Sequence, residues 1–160
     1  MKTNKLIKHL RVFGILFMLS AFLLPASVSA QEKGRVIEIA GLNNMTFDVT
    51  DIEAKPGELL TIRFTSKTEY TPRQMSHNFV LLKQTANVQA FVDASEKSAI
   101  NDFIDPKRED DVYAHTPMAA GGETVEVTFR APERPSKYMY ICTFPGHFFA
   151  GMKGTLTVKE

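Results

Sequence analysis

Cysteine is nearly missing from this 160-residue chain: Cys142 is the only one. No internal disulfide can form, so whatever folds here is held by its core rather than by staples. Charge of one sign is missing as well. The chain carries 19 basic and 18 acidic side chains, which offers no basic face of the kind nucleic acid requires. A run long enough to span a bilayer is not evident either. Residues 12–24 are apolar apart from Gly14 and Ser20, short of the roughly 20 residues a membrane helix needs. Beyond that segment there are no internal repeats and no low-complexity tract.

What the first thirty residues do contain is the pattern of a secretory signal peptide. Lys2, Lys5, Lys8 and Arg11 form a basic start without acidic residues, and the apolar segment follows. Pro25 breaks it, and Val28-Ser29-Ala30 supplies small residues before a cut at Ala30/Gln31. A retained membrane anchor is the rival reading of the same residues. Cleavage divides the chain into a leader, 1–30, and one domain, 31–160, with 15 basic against 18 acidic side chains, a formal charge of −3. Such a protein is periplasmic or otherwise exported, with no stable membrane insertion once the leader is gone. In an oxidising compartment a lone thiol is a liability unless it is buried or bound to metal.

The domain reads as short strands separated by turn residues. Residues 35–40 and 45–50 are brief β-branched or alternating runs, and Pro56-Gly57 signals a turn. The longer run 59–64 places Leu60, Ile62 and Phe64 on one face. Residues 77–82 form another apolar run. The alternation over 123–129 puts Val125, Val127 and Phe129 on one side, and 137–142 and 154–158 complete the set. Residues 84–92 and 96–104 depart from this with helical spacing, Ile100, Phe103 and Ile104 recurring at i, i+3 and i+4. A polar stretch, 105–111, closes them. Seven or eight strands with one helical insertion predict an all-β, Greek-key β-sandwich. About 130 residues suffice to bury such a core.

The chemistry concentrates near the end, in Cys142-Thr-Phe-Pro-Gly-His147-Phe-Phe-Ala-Gly-Met152, with a second imidazole upstream at His77. Two His, one Cys and one Met are the donors of a blue-copper electron-transfer site, a His2Cys plane with a weak axial thioether. A free Cys is ordinarily a small buried apolar residue. The imidazole and thioether at fixed short intervals favour metal instead. Cu(I) prefers sulfur and Cu(II) accepts imidazole, so a cycling site needs both, held on a scaffold that barely moves. His77 opens one strand and Cys142 ends another, so neighbouring strands can deliver them to one end of a sandwich. Pro145-Gly146 reverses the chain between Cys142 and His147.

The segment Met75-Ser-His-Asn-Phe-Val-Leu resembles the upstream ligand segment of the azurins. Ala114-His-Thr-Pro-Met-Ala-Ala-Gly-Gly-Glu-Thr-Val-Glu-Val-Thr-Phe and Tyr140-Ile-Cys-Thr-Phe-Pro-Gly-His…Met-Lys-Gly-Thr-Leu-Thr-Val are similar to the two azurin segments that follow, in the same order. The resemblance spans about residues 45–158 and includes the helical insertion. It implies a cupredoxin fold and one type 1 copper per chain that shuttles single electrons. On it, His77, Cys142 and His147 are the equatorial ligands and Met152 the axial one, while Asn78 matches an asparagine that ties the ligand loops together. Three features depart from azurins. The spacer Phe148-Phe-Ala-Gly has four residues where azurins have three, which looks more like the auracyanins. Ser76 replaces a glycine whose carbonyl gives a distant fifth contact, so a four-coordinate site is expected. The azurin disulfide is absent.

These readings predict an exported one-electron carrier whose redox partners dock near His147, over an apolar rim of Met118, Ala119, Ala120, Phe148 and Phe149, with one of the two phenylalanines in the core. His115 is expected at the surface as a non-ligand, and Met45, Met75 and Met139 as packing residues. The alternative is an exported copper-binding protein for buffering or delivery, although no Met or His cluster supports it. An enzyme is disfavoured. Met152 closes the position that catalytic zinc keeps open, and no residue is apparent to orient a Cys142–His147 nucleophile pair. Only His77, His115 and His147 remain after the leader, too few for the second copper of an oxidase or nitrite reductase.

Overall fold

In the computed structural model, residues 34–160 are described; the leader, its cleavage point and the alternative anchor lie outside the described residues. Among the described residues, eight strands form two sheets. The first sheet contains β1 (Arg35–Leu42), β3 (Leu59–Lys67) and β6 (Thr124–Arg130) in the order β1-β3-β6. The second contains β2 (Asp51–Ala54), β4 (Val80–Leu82), β5 (Val112–His115), β7 (Ser136–Ile141) and β8 (Lys153–Val158) in the order β2-β8-β7-β4-β5. β1 runs parallel to β3 and β2 parallel to β8, and the chain changes sheet at each step from β1 to β4. This is the all-β sandwich that the alternation in the sequence predicts.

The alternation has an energetic reason. Leu60, Ile62 and Phe64 point inward from β3 and are fully buried, together with Ile39, Phe79, Leu81, Tyr140 and Leu156. Each such side chain removed from water contributes about 1.5–3 kcal/mol. The other face of β3 carries Thr61 and Arg63, which pair across to Thr128 and Glu126 on β6. Val125, Val127 and Phe129 pack against the core half-buried.

β4 is different, because Val80, Leu81 and Leu82 are all buried. Leu81 joins the inter-sheet core, whereas Val80 and Leu82 meet Ile141, Phe91, Val92 and Ile104 in a second cluster. The helix α1 (Val88–Ser95), capped by Asn87 through its bond from Ala90 N–H, therefore covers the outer face of the second sheet. A strand buried on both faces reads as a continuous apolar run instead of an alternation.

Four expectations need correction. Residues 45–50 are not a strand: Met45 takes a left-handed φ of 58° and Phe47 makes only an isolated bridge with Gly41, so the strand begins at Asp51. The run from His77 is a strand only from Val80, and His77 is held by a separate bridge to Ala119. The strand Val112–His115 has no place among the runs read from the sequence. The second helix is reduced to the 3₁₀ turn Ala99–Asn101. Ile100 is 95 % exposed rather than facing inward with Ile104, since Asp102 and Phe103 adopt φ of 53° and 55° and end any helical register. A further 3₁₀ turn, Pro106–Asp111, occupies the polar stretch.

Candidate metal centre

Three ligand-type residues meet at one end of the sandwich. Cys142 follows β7 directly and turns its side chain into the inter-sheet core. His77 is fixed beside the short loop 116–119 by two backbone bonds, His77 N–H to Ala119 O at 3.0 Å and Ala119 N–H to His77 O at 2.8 Å. His147 sits in the loop between β7 and β8. The ligand atoms of His77, Cys142 and His147 all lie within 4.8 Å of one another, and all three residues are buried. Cys142 Sγ is 3.4 Å from His147 Nδ1 and 4.0 Å from His77 Nδ1. A thiolate at ~2.3 Å and an imidazole at ~2.0 Å from one ion, in a trigonal plane, would lie about 3.7 Å apart. The two observed separations bracket that value.

The fourth sequence-predicted residue is carried to the same place by the backbone. Met152 N–H donates to His147 O at 3.0 Å, and Cys142 N–H donates to Met152 O at 3.2 Å. Met152 is fully buried in the cluster that contains Cys142. The four-residue spacer is absorbed within the loop: Ala150 N–H reaches Gly146 O, Gly151 N–H reaches Phe148 O, and Gly151 takes φ of 103°, open to glycine.

Burial sets the charge states. It drives the His77 imidazole down to about 4, with a smaller push from His147, and drives His147 down to about 4. Both rings are then neutral at pH 7 with lone pairs free for a metal. Burial also pushes the Cys142 thiol up to about 12, opposed by backbone N–H bonds from Asn78 and Phe144. Thiolate at neutral pH in this pocket calls for a cation, and a coordinated thiol is deprotonated outright. A buried cluster of one sulfur and two imidazoles, with no carboxylate among its ligand-type groups and with Met152 buried in the same core, suits copper.

Surrounding contacts hold these side chains. Asn78 is buried; its Oδ1 accepts from Thr143 N–H at 2.9 Å and its Nδ2 donates to Thr143 Oγ1 at 2.8 Å and to Asp102 O at 3.3 Å. This matches the tying role that the azurin resemblance implies. The Phe144 ring lies 4.8 Å from that of His147, and the two histidine rings are 4.9 Å apart. His77 Nε2 is buried and finds no partner among the described residues. Gly41 packs directly on this ring: a Cβ there would stand 2.8–2.9 Å from its atoms. Gly41, Thr143 and Asp102 are absent from the sequence-based site, because a glycine in a strand end or a backbone carbonyl in a turn carries no chemical signature. The pairing of His77 with Ala119 carries no local signal in the sequence either.

Ser76 is buried, with its hydroxyl donating to Pro72 O at 2.9 Å. His115 is exposed and outside the cluster, its Nδ1 3.1 Å from Thr116 O. On the apolar rim, Phe149 is 57 % exposed, whereas Phe148 is half-buried in the second cluster, so the two phenylalanines divide as expected. Met118 and Ala120 are half-buried. Ala119 is not part of the rim: its pairing with His77 buries it completely.

Comparison with known proteins agrees with this geometry. Residues 36–159 match the family of copper-binding proteins described as the plastocyanin/azurin family. Auracyanin-B of Chloroflexus aurantiacus is 47 % identical over 85 residues, which are 52 % of this chain and 36 % of that protein, so the match spans about a third of the relative's length. Azurin of Pseudomonas aeruginosa is 33 % identical over 158 residues, 96 % of this chain and 100 % of the azurin. The solved structure of auracyanin A, titled a "blue" copper protein from Chloroflexus aurantiacus, superposes with a TM-score of 0.70 at 33 % identity, covering 79 % of this chain and all of that one. With the His-Cys-His cluster at the sandwich end, these matches place the chain in the plastocyanin/azurin family of copper-binding proteins.

Proposed function

We propose that His77, Cys142, His147 and Met152 hold one copper ion and that the protein is a type 1 copper electron carrier. When bound, copper supplies a Cu(I)/Cu(II) one-electron couple, which thiolate and imidazole donors serve in both states. The observation that carries the reading is the convergence of three buried ligand atoms within 4.8 Å. The protein's own task is to keep that set rigid and dry. Two backbone bonds fix His77, Asn78 ties the ligand loop to the sheet, and Asn78 and Phe144 aim N–H groups at the sulfur. Such surrounding bonds orient ligands and tune the metal.

His147 is 2 % exposed while His77, Cys142 and Met152 are at 0 %. An electron therefore enters and leaves at the His147 edge, with exposed Phe149 beside it in sequence and Phe148, Met118 and Ala120 offering half-buried apolar contact to redox partners that bind briefly. Buffering or delivery is supported less, because exchange needs reachable ligands. The leader pattern in 1–30 supports export of a mature domain 31–160, to the periplasm or beyond. Among the described residues, no helix is long and apolar enough to cross a membrane.

The test is to load the protein with Cu(II) and record its optical and EPR spectra. An intense thiolate-to-copper absorption that disappears in Cys142→Ser is expected. Absence of the band, or its survival in the serine variant, would overturn the assignment.

A further inference from the structure

The segment between β4 and β5 grips the ligand loop as well as covering the sheet. Glu96 ends α1, its own N–H bonded to the Ala94 and Val92 carbonyls. Its side chain turns to the other end of the contact: Glu96 Oε1 accepts from Gly146 N–H at 3.0 Å. Gly146 directly precedes His147 and takes a left-handed φ of 81°. Pro145 before it has no N–H to offer, so the Gly146 amide is where an acceptor can hold this turn.

Two further contacts come from the same segment. Asp102 and Phe103 are non-glycine residues in the left-handed region, a conformation that costs energy and persists only where surroundings enforce it. The pair presents Asp102 O to Asn78 Nδ2 at 3.3 Å and to Thr143 Oγ1 at 3.4 Å. It also sets the Phe103 ring 5.3 Å from Phe144, whose ring in turn lies 4.8 Å from His147. The segment thus touches the loop at Thr143, Phe144 and Gly146, all within the four residues before His147.

We propose that Glu96 is a positioning residue for the metal loop: its carboxylate, backed by the Asp102 carbonyl and the Phe103 ring, holds the turn before His147 in its binding conformation with or without copper. The bond is charge-assisted, roughly twice as strong as a neutral one. It spans 50 positions of sequence. A turn held in this way keeps the His147 ring in place between oxidation states, which an electron carrier requires. The inference rests on the assignment of His147 as a ligand.

The experiment compares the parent, Glu96→Ala and Glu96→Gln, each as the Cu(I)-loaded and the metal-free protein. Gly146 amide exchange is read by NMR under native conditions, and copper release to a competing chelator is timed. In Glu96→Ala, Gly146 exchange is expected to accelerate by about tenfold or more in both forms, with faster copper release, and Glu96→Gln, whose neutral amide oxygen still accepts at about half the strength, should lie only about threefold above the parent. Gly146 exchange and copper release within about twofold of the parent overturn the proposal, even if the alanine variant unfolds at lower temperature, since a mere helix-end role would move only the latter. If the parent shows no blue absorption, the ligand assignment fails by itself. Gly146 exchange in the metal-free chain then still decides whether Glu96 holds the turn.

Discussion

Replacing Asn78 by alanine should be the most informative single truncation near the metal. The side chain is fully buried and makes three hydrogen bonds, two of them to Thr143, which is 1 % exposed. After truncation the Thr143 hydroxyl still has Asp102 O at 3.4 Å, so its loss is small. The Thr143 N–H has no such substitute and is left unpaired where water does not reach. An orphaned buried donor costs about 1–3 kcal/mol, and the lost amide–hydroxyl bond adds about 0.5–1 kcal/mol, giving a total of about 1.5–4 kcal/mol. The assay is denaturant unfolding of the metal-free protein, so that copper affinity does not enter, with Thr143→Ala and the double variant completing a cycle. The pair should couple by about 1 kcal/mol, because the hydroxyl bond is lost in either single variant. A loss below about 1 kcal/mol for Asn78→Ala, with Asn78 and Thr143 additive, would show that this contact does not tie the ligand loop to the sheet.

Copper removal should leave a folded protein, since Leu60, Ile62, Phe64 and most of the inter-sheet core pack apolar side chains against one another, and only Cys142 and Met152 of that core are candidate ligands. Holo protein should gain about 4 kcal/mol when free copper is a thousandfold above Kd, read as a raised unfolding temperature; an unfolded apo chain by circular dichroism would contradict this. Gly41→Ala should push the His77 ring from its place, because the new Cβ would lie 2.8–2.9 Å from it. The copper-loaded variant is then expected to show altered EPR hyperfine splitting, and an unchanged spectrum would mean the backbone yields instead. The Arg35 side-chain bond at 2.6 Å holds the Glu58 carboxyl below its usual value of 4.5. A depressed folded-state value stabilises above the unfolded one and is lost as pH falls through the folded one. Glu58→Gln should therefore narrow the loss of stability below about pH 4.5, by under about 1 kcal/mol for so exposed a pair, as followed by unfolding at pH 3 to 7.

The candidate ligands were legible because copper chemistry demands rare residue types, and this chain has one cysteine and few histidines. Leu60, Ile62 and Phe64 were legible because one face of β3 is wet and the other dry. Legibility failed where tertiary contact replaced local pattern. Residues 45–50 alternate like a strand, yet Asp48 accepts the Ala40 N–H through its side chain at 2.6 Å and the chain bends instead. Ile100 and Ile104 share a helical spacing, but only Ile104 is buried, because the left-handed pair at 102 and 103 turns the chain between them. Nothing in the one-dimensional pattern marks those two residues, as their conformation is enforced by what they touch.

The spacer of the ligand loop shows how a departure from a relative's pattern can be local in consequence. Four residues between His147 and Met152 could have moved the thioether away from the cluster. Instead the added length closes on itself, through Ala150 to Gly146 and Gly151 to Phe148, and leaves Phe149 outward. The bonds from Met152 N–H to His147 O and from Cys142 N–H to Met152 O survive that turn. These two bonds fix where Met152 starts, whatever the spacer does above them. The spacer therefore contributes exposed apolar surface beside His147, while Met152 is held by the backbone bonds to Cys142 and His147.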